Sequence, residues 1–117
     1  MRTVLTYLRD LPWLSYEEIR ELALEKHAVP VSQRDYNRCK HILFNRVKDE
    51  LKRAYKAYKY HQTEGNYGWV SQVLHHYVLI VTEKKPEEID IETKRTVVGA
   101  LGKSYLAFIK EPAAKDE

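Results

Sequence analysis

The stretch SQRDYNRCKHILFNRVKDELKRAYKAYKY, residues 32 to 60, decides the architecture because it carries two periodic patterns at once. Cys39, Leu43, Val47, Leu51, Ala54 and Tyr58, flanked by Ile42 and Tyr55, recur at steps of three and four, which lines one face of an α-helix with apolar side chains. Arg34, Arg38, His41, Asn45, Lys48 and Lys52 recur at the same steps on a face roughly opposite. One side is built to pack and the other offers hydrogen-bond donors to solvent. Ser32 is placed to cap this helix, Asp35 sits in the first turn where the helix dipole favours an acid, and the period persists to about Tyr60.

Upstream, Val4, Leu5, Leu8 and Leu11 define a short amphipathic helix over Thr3 to Leu11 that stops at Pro12. Ser15 and Glu18 then form a Ser-x-x-Glu capping box opening a second helix, with Ile19, Leu22, Ala23 and the stem of Lys26 on its inner face. It ends near His27, and the apolar connector Ala28-Val29-Pro30-Val31 is expected to tuck into the core. Downstream, residues 62 to 68 contain Gly65 and Gly68 and read as a turn. Trp69, Val70, Val73, Leu74, Tyr77, Val78 and Val81 then fit a helix, although residues 77 to 82 are β-branched and aromatic enough for a strand. After Lys84-Lys85-Pro86, Asp90 or Glu92 opens a last helix carrying Val97, Val98, Leu101, Tyr105, Phe108 and Ile109 on one side, with Pro112 as its stop and residues 113 to 117 fraying.

The 117 residues suit one domain, 1–117, with a single core, and 44% hydrophobic content argues against wholesale disorder. The lone cysteine, Cys39, rules out an intramolecular disulfide and fits a reducing, cytoplasmic setting. No run approaches the ~18 apolar residues of a membrane span, so neither a membrane helix nor a signal peptide is expected. His75 and His76 are adjacent and diverge by about 100° on a helix, and Cys39 and His41 face different ways, so no metal is expected. Neither a nucleophile elbow nor a Gly-rich phosphate loop is present, and the acidic pairs Glu17-Glu18 and Glu87-Glu88 lie at helix starts for dipole reasons. The expectation is no enzyme and no cofactor.

Charge is the strongest asymmetry. Residues 33 to 60 hold nine basic and three acidic side chains, a local +6 in a molecule of net +3, so the remainder is −3. Concentration of positive charge on one element is the footprint of polyanion binding, set against the common case of a merely solvated face. Gln33, Arg34, Asn37 and Arg38 occupy the first turns, where a recognition helix meets base edges, and Arg and Asn can read guanine and adenine by paired hydrogen bonds. Lys48, Lys52, Arg53 and Lys56 follow as phosphate contacts.

The runs TVLTYLRDL, SYEEIRELALEKH and, after the short connector, SQRDYNRCKHILFNRVKDEL resemble the three helices of winged helix-turn-helix DNA-binding domains, over about residues 3–71. The resemblance implies a recognition helix opening at Ser32, with Gln33, Arg34, Asn37, Arg38 and His41 at its groove-facing positions. It also implies a wing in which Ala54 to Tyr60 and Tyr67 to Ser71 are strands around Thr63 to Asn66. Two features depart from the pattern: the connector lacks the usual glycine, and residues 32 to 60 read more naturally as one long helix than as helix and strand.

The expectation is thus a mainly α domain with a winged-helix-like core and two additional C-terminal helices over residues 67–110, which either complete the core or pair two chains. It would bind double-stranded DNA through Gln33, Arg34, Asn37, Arg38, His41, Asn45, Lys48, Lys52, Arg53 and Lys56, as a homodimeric transcription regulator. Tyr55, Tyr58 and Tyr60 alternate with Lys56 and Lys59, which keeps single-stranded nucleic acid or RNA as a lesser branch, although tyrosines continuing the apolar stripe are expected to be half-buried. A helical module docking on an acidic protein surface is the rival from another class.

Overall fold

A computed structural model describes residues 2–109, and within them the chain is helical with no strand. The order is α1 (Arg2–Asp10), α2 (Tyr16–His27), α3 (Gln33–Tyr60), α4 (Glu64–Thr82), a 3₁₀ turn (Pro86–Glu88), α5 (Ile91–Leu101) and a 3₁₀ segment (Lys103–Phe108). The expectations for Pro112 and for residues 113 to 117 lie outside the described residues.

α3 is the spine. Its 28 residues span about 42 Å at 1.5 Å per residue, close to the longest dimension of the molecule, 47 Å. The apolar stripe serves two clusters in succession. Tyr36, Cys39 and Leu43 pack with Val4 and Leu8 of α1, Ile19 and Ala23 of α2, and Val31. Val47, Leu51 and Ala54 pack with Val70, Val73, Leu74, Tyr77 and Val78 of α4, Val98 of α5, and Phe108 and Ile109. Burial of these side chains, worth about 1.5–3 kcal/mol for each large one, is what holds so long a helix in one piece.

The capping box of α2 is present in both directions, Ser15 Oγ accepting from the Glu18 amide at 3.2 Å and Glu18 Oε1 from the Ser15 amide at 2.9 Å. Ser32 Oγ accepts from the Asp35 amide, and of the apolar connector only Val31 is buried and Val29 half-buried, while Ala28 and Pro30 stay exposed. Two phenols pin the loops on either side of α2. Tyr36 donates to the Leu14 carbonyl at 2.8 Å and Tyr16 to the Val31 carbonyl at 2.9 Å, with the rings edge-on 5.7 Å apart. These bonds fix the α2–connector–α3 unit that presents the start of the basic face.

The glycine missing from the connector is replaced in conformation but not in kind. Ala28 sits in the left-handed region (φ 54°, ψ 36°), its amide bonded to the Leu24 carbonyl, while Val29 reaches the Ala23 carbonyl. A residue with a Cβ is strained there by about 1–2 kcal/mol. Ala28→Gly is therefore expected to stabilise the protein by about 0.5–1 kcal/mol after the extra chain entropy of glycine is subtracted. A urea titration should show a higher midpoint at unchanged slope, and a lower midpoint would contradict this account.

Four expectations are corrected. The wing strands at 54–60 and 67–71 are the end of α3 and the start of α4: Ala54, Tyr55 and Tyr58 all meet the second cluster only if the 3.6-residue period continues, because an extended backbone would turn Tyr55 away from Ala54 and Tyr58 and bring Lys56 in. The turn read over 62–68 shrinks to 61–63. Thr63 accepts from the Asn66 amide, and Asn66 Nδ2 donates back to the Ala57 and His61 carbonyls, so Gly65 and Gly68 lie inside α4 with no positive φ. Within α4, Leu79 (7% exposed) is buried where Val81 (42%) was expected. The last helix ends at Leu101, and the chain turns at Gly102 to lay Leu106 against Gly99. Residues 77 to 82 are helical.

Candidate nucleic-acid interface

The exposed side of α3 is built by subtraction: what the two clusters do not bury, solvent receives. Gln33, Arg34, Asn37, Arg38, His41, Asn45, Lys52, Arg53 and Lys56 are exposed, and Lys48 is half-buried with Nζ 5.2 Å from the Phe44 ring centre. Every side chain expected at the interface thus lies on α3 and reaches solvent. From Arg34 to Lys56 the row runs about 33 Å along the helix axis. Among the described residues none of its cations forms an ion pair, the pairs being Arg9–Asp10, Arg20–Glu17 and Lys40–Glu83.

The three acids of this helix dilute the row little. Glu50 faces α4 and accepts from Trp69 Nε1 at 3.1 Å, Asp35 sits half-buried in the first turn, and Asp49 alone is exposed beside the row. Lys40 points away from the row, bonded to Glu83 at the C-terminal cap of α4 and lying over the Tyr36 ring.

The tyrosines are occupied elsewhere. Tyr55 and Tyr58 are half-buried around Phe108, with ring centres 6.0 and 5.1 Å from it, and Tyr67 stacks on the same ring at 5.1 Å. Only Tyr60, 73% exposed, offers a face to solvent. Lys59 lies over the Tyr55 ring.

The titratable groups that burial shifts, Cys39, Tyr36 and His75, sit off this face. Burial pushes the Cys39 thiol and the Tyr36 phenol up, the latter against the pull of Lys40. Burial likewise lowers His75, helped by Lys94 and His76. His76 donates from Nε2 to the Arg9 carbonyl at 2.9 Å and so closes one of the open carbonyls at the end of α1. Among the described residues no three of His, Cys, Asp and Glu converge as metal ligands, and no helix is long and apolar enough to cross a membrane.

One group of cations was missed by reading α1 only for its apolar residues. Arg2, Leu5, Thr6 and Arg9 stand at i, i+3, i+4 and i+7, a single helical face, and the fold sets that face beside Arg46 and Leu43 of α3. The spacing was in the sequence, whereas the neighbouring Arg46 was not deducible without the fold.

Comparison with known protein families, with curated proteins and with solved structures finds no match.

Proposed function

We infer that the protein binds duplex DNA through the exposed face of α3. The observation that supports this most is the row of cations from Arg34 to Lys56, unpaired among the described residues and held on one rigid helix. The α2–connector–α3 unit, stapled by Tyr16 and Tyr36, provides the helix-turn-helix part of the reading. A straight helix about 33 Å long cannot follow a groove that winds once round the duplex in about 34–36 Å. One end therefore meets base edges and the other rises onto the backbone. Gln33, Arg34, Asn37 and Arg38 read bases at the N-terminal end; Lys48, Lys52, Arg53 and Lys56 hold phosphates, with His41 and Asn45 between.

A homodimer regulating transcription extends the same proposal, since a two-fold pair would place two α3 ends one DNA turn apart. Sedimentation equilibrium tests it, and a monomer at binding concentrations would remove that extension alone.

Fluorescence anisotropy with random duplex DNA tests the proposal directly. The logarithm of affinity should fall linearly with the logarithm of salt concentration, with a slope of about −3 to −4 if the four phosphate contacts form. Arg34→Ala with Arg38→Ala should weaken binding about tenfold or more while leaving the helical content intact, because both side chains stand clear of the core. Unchanged affinity in that variant sinks the assignment. No binding by the wild type even at low salt transfers the basic face to the protein-docking alternative.

A further inference from the structure

α1 and α3 enclose an open cleft of about 470 Å³ lined by Arg2, Leu5, Thr6, Arg9, Leu43 and Arg46. Three guanidinium groups around one space repel one another and stay charged at any physiological pH. Nothing in the lining offsets them: Asp10 engages Arg9 through Nε alone, at 3.0 Å, and is not part of the cleft wall. Thr6 adds a hydroxyl that can donate or accept, while Leu43 is buried and Leu5 half-buried beneath, an apolar floor that strengthens polar contacts above it.

We propose that this cleft binds the phosphate group of a phosphate ester. A tetrahedral phosphate presents its non-bridging oxygens, two in a diester and three in a monoester, to the guanidinium forks out of one plane and relieves their mutual repulsion, a geometry that a planar carboxylate does not match. The volume exceeds that of a lone phosphate and leaves room for the alcohol it esterifies. The site lies off the exposed row of α3, and it rests on the DNA-binding reading only for the source of the phosphate, a duplex backbone in preference to a small phosphorylated molecule.

The test has two arms on the full chain. In the first, inorganic phosphate is titrated at constant ionic strength while the arginine Nε–Hε signals are followed by NMR. Arg2, Arg9 and Arg46 should shift together and saturate, and Arg46→Gln should raise the midpoint about tenfold or more, with circular dichroism confirming the fold. Shifts that never saturate, that spread over all surface arginines, or that survive Arg46→Gln mean an adventitious ion only and overturn the site. In the second arm, Arg2→Gln, Arg9→Gln and Arg46→Gln are combined and duplex DNA is titrated at several salt concentrations. A salt slope reduced by about 1 assigns the phosphate to the DNA backbone. An unchanged slope with phosphate binding lost keeps the site and gives it a small phosphorylated molecule. Saturable phosphate binding by a wild type that ignores DNA would overturn the role of α3 and leave the cleft standing.

Discussion

Asn45→Pro is expected to cost the protein about 3 kcal/mol or more and to divide its unfolding into two steps. Asn45 lies on the exposed side of α3 between Leu43, in the first cluster, and Val47, in the second. Its side chain is exposed, so the effect is one of backbone: the proline ring removes an amide from the ladder and collides with the His41 carbonyl, which costs about 3 kcal/mol in a helix interior. Because α3 is the beam on which both clusters are built, a break there lets each half lose structure by itself. Trp69, packed against the second cluster, reports that half by fluorescence once Trp13 is replaced by phenylalanine, and circular dichroism reports the whole chain. Transitions that remain coincident, or a loss under about 1 kcal/mol, would show that the clusters hold together without the continuous helix. Asn45→Ala is the control and should be neutral or gain a few tenths of a kcal/mol from propensity. The proline also cuts the cationic row in two, so the DNA affinity proposed for it should fall with the fold only partly lost.

Phe108→Ala is the second large loss, about 3–5 kcal/mol for a buried aromatic side chain. Phe108 is 3% exposed and receives the edges of Tyr55 and Tyr58 and the tilted face of Tyr67, so its ring joins α3, α4 and the 3₁₀ segment at one point. Phe108→Leu should recover more than half of that loss, since apolar volume returns while the ring geometry does not. Chemical denaturation gives both values, and the near-ultraviolet dichroism of the tyrosines should collapse in the alanine variant alone. An alanine cost below about 1.5 kcal/mol would mean that the 3₁₀ segment only rests on the core.

The helices could be read in advance where a local signal and burial agreed. Ser15 and Glu18 are a reciprocal pair four residues long, and Cys39, Leu43, Val47, Leu51 and Ala54 are buried as their spacing implies. Misreadings arose where a residue type stood for a conformation. Gly65 and Gly68 suggested a turn, yet Thr63 and Asn66 supply a cap and a brace that carry the helix through both. Conversely, Ala28 holds a left-handed backbone that its identity conceals, where the Ala28 and Val29 amides close on the Leu24 and Ala23 carbonyls to end α2. The basic face of α3 followed from periodicity alone. The Arg2, Arg9 and Arg46 cleft did not, since it joins residues 44 positions apart in a contact no local pattern encodes.

The division of α3 between two clusters also sets a schedule during synthesis. Every member of the first cluster lies within residues 4 to 43, whereas the second is closed by Phe108 and Ile109. At about 5–20 residues per second, the first cluster has all its parts roughly 3 to 13 s before the second. For that interval Val47, Leu51 and Ala54 extend from a finished foundation as an apolar stripe without its cover. The nascent chain is therefore most open to misassociation while its most basic segment is already out, and like-charge repulsion between neighbouring nascent chains is then its main protection.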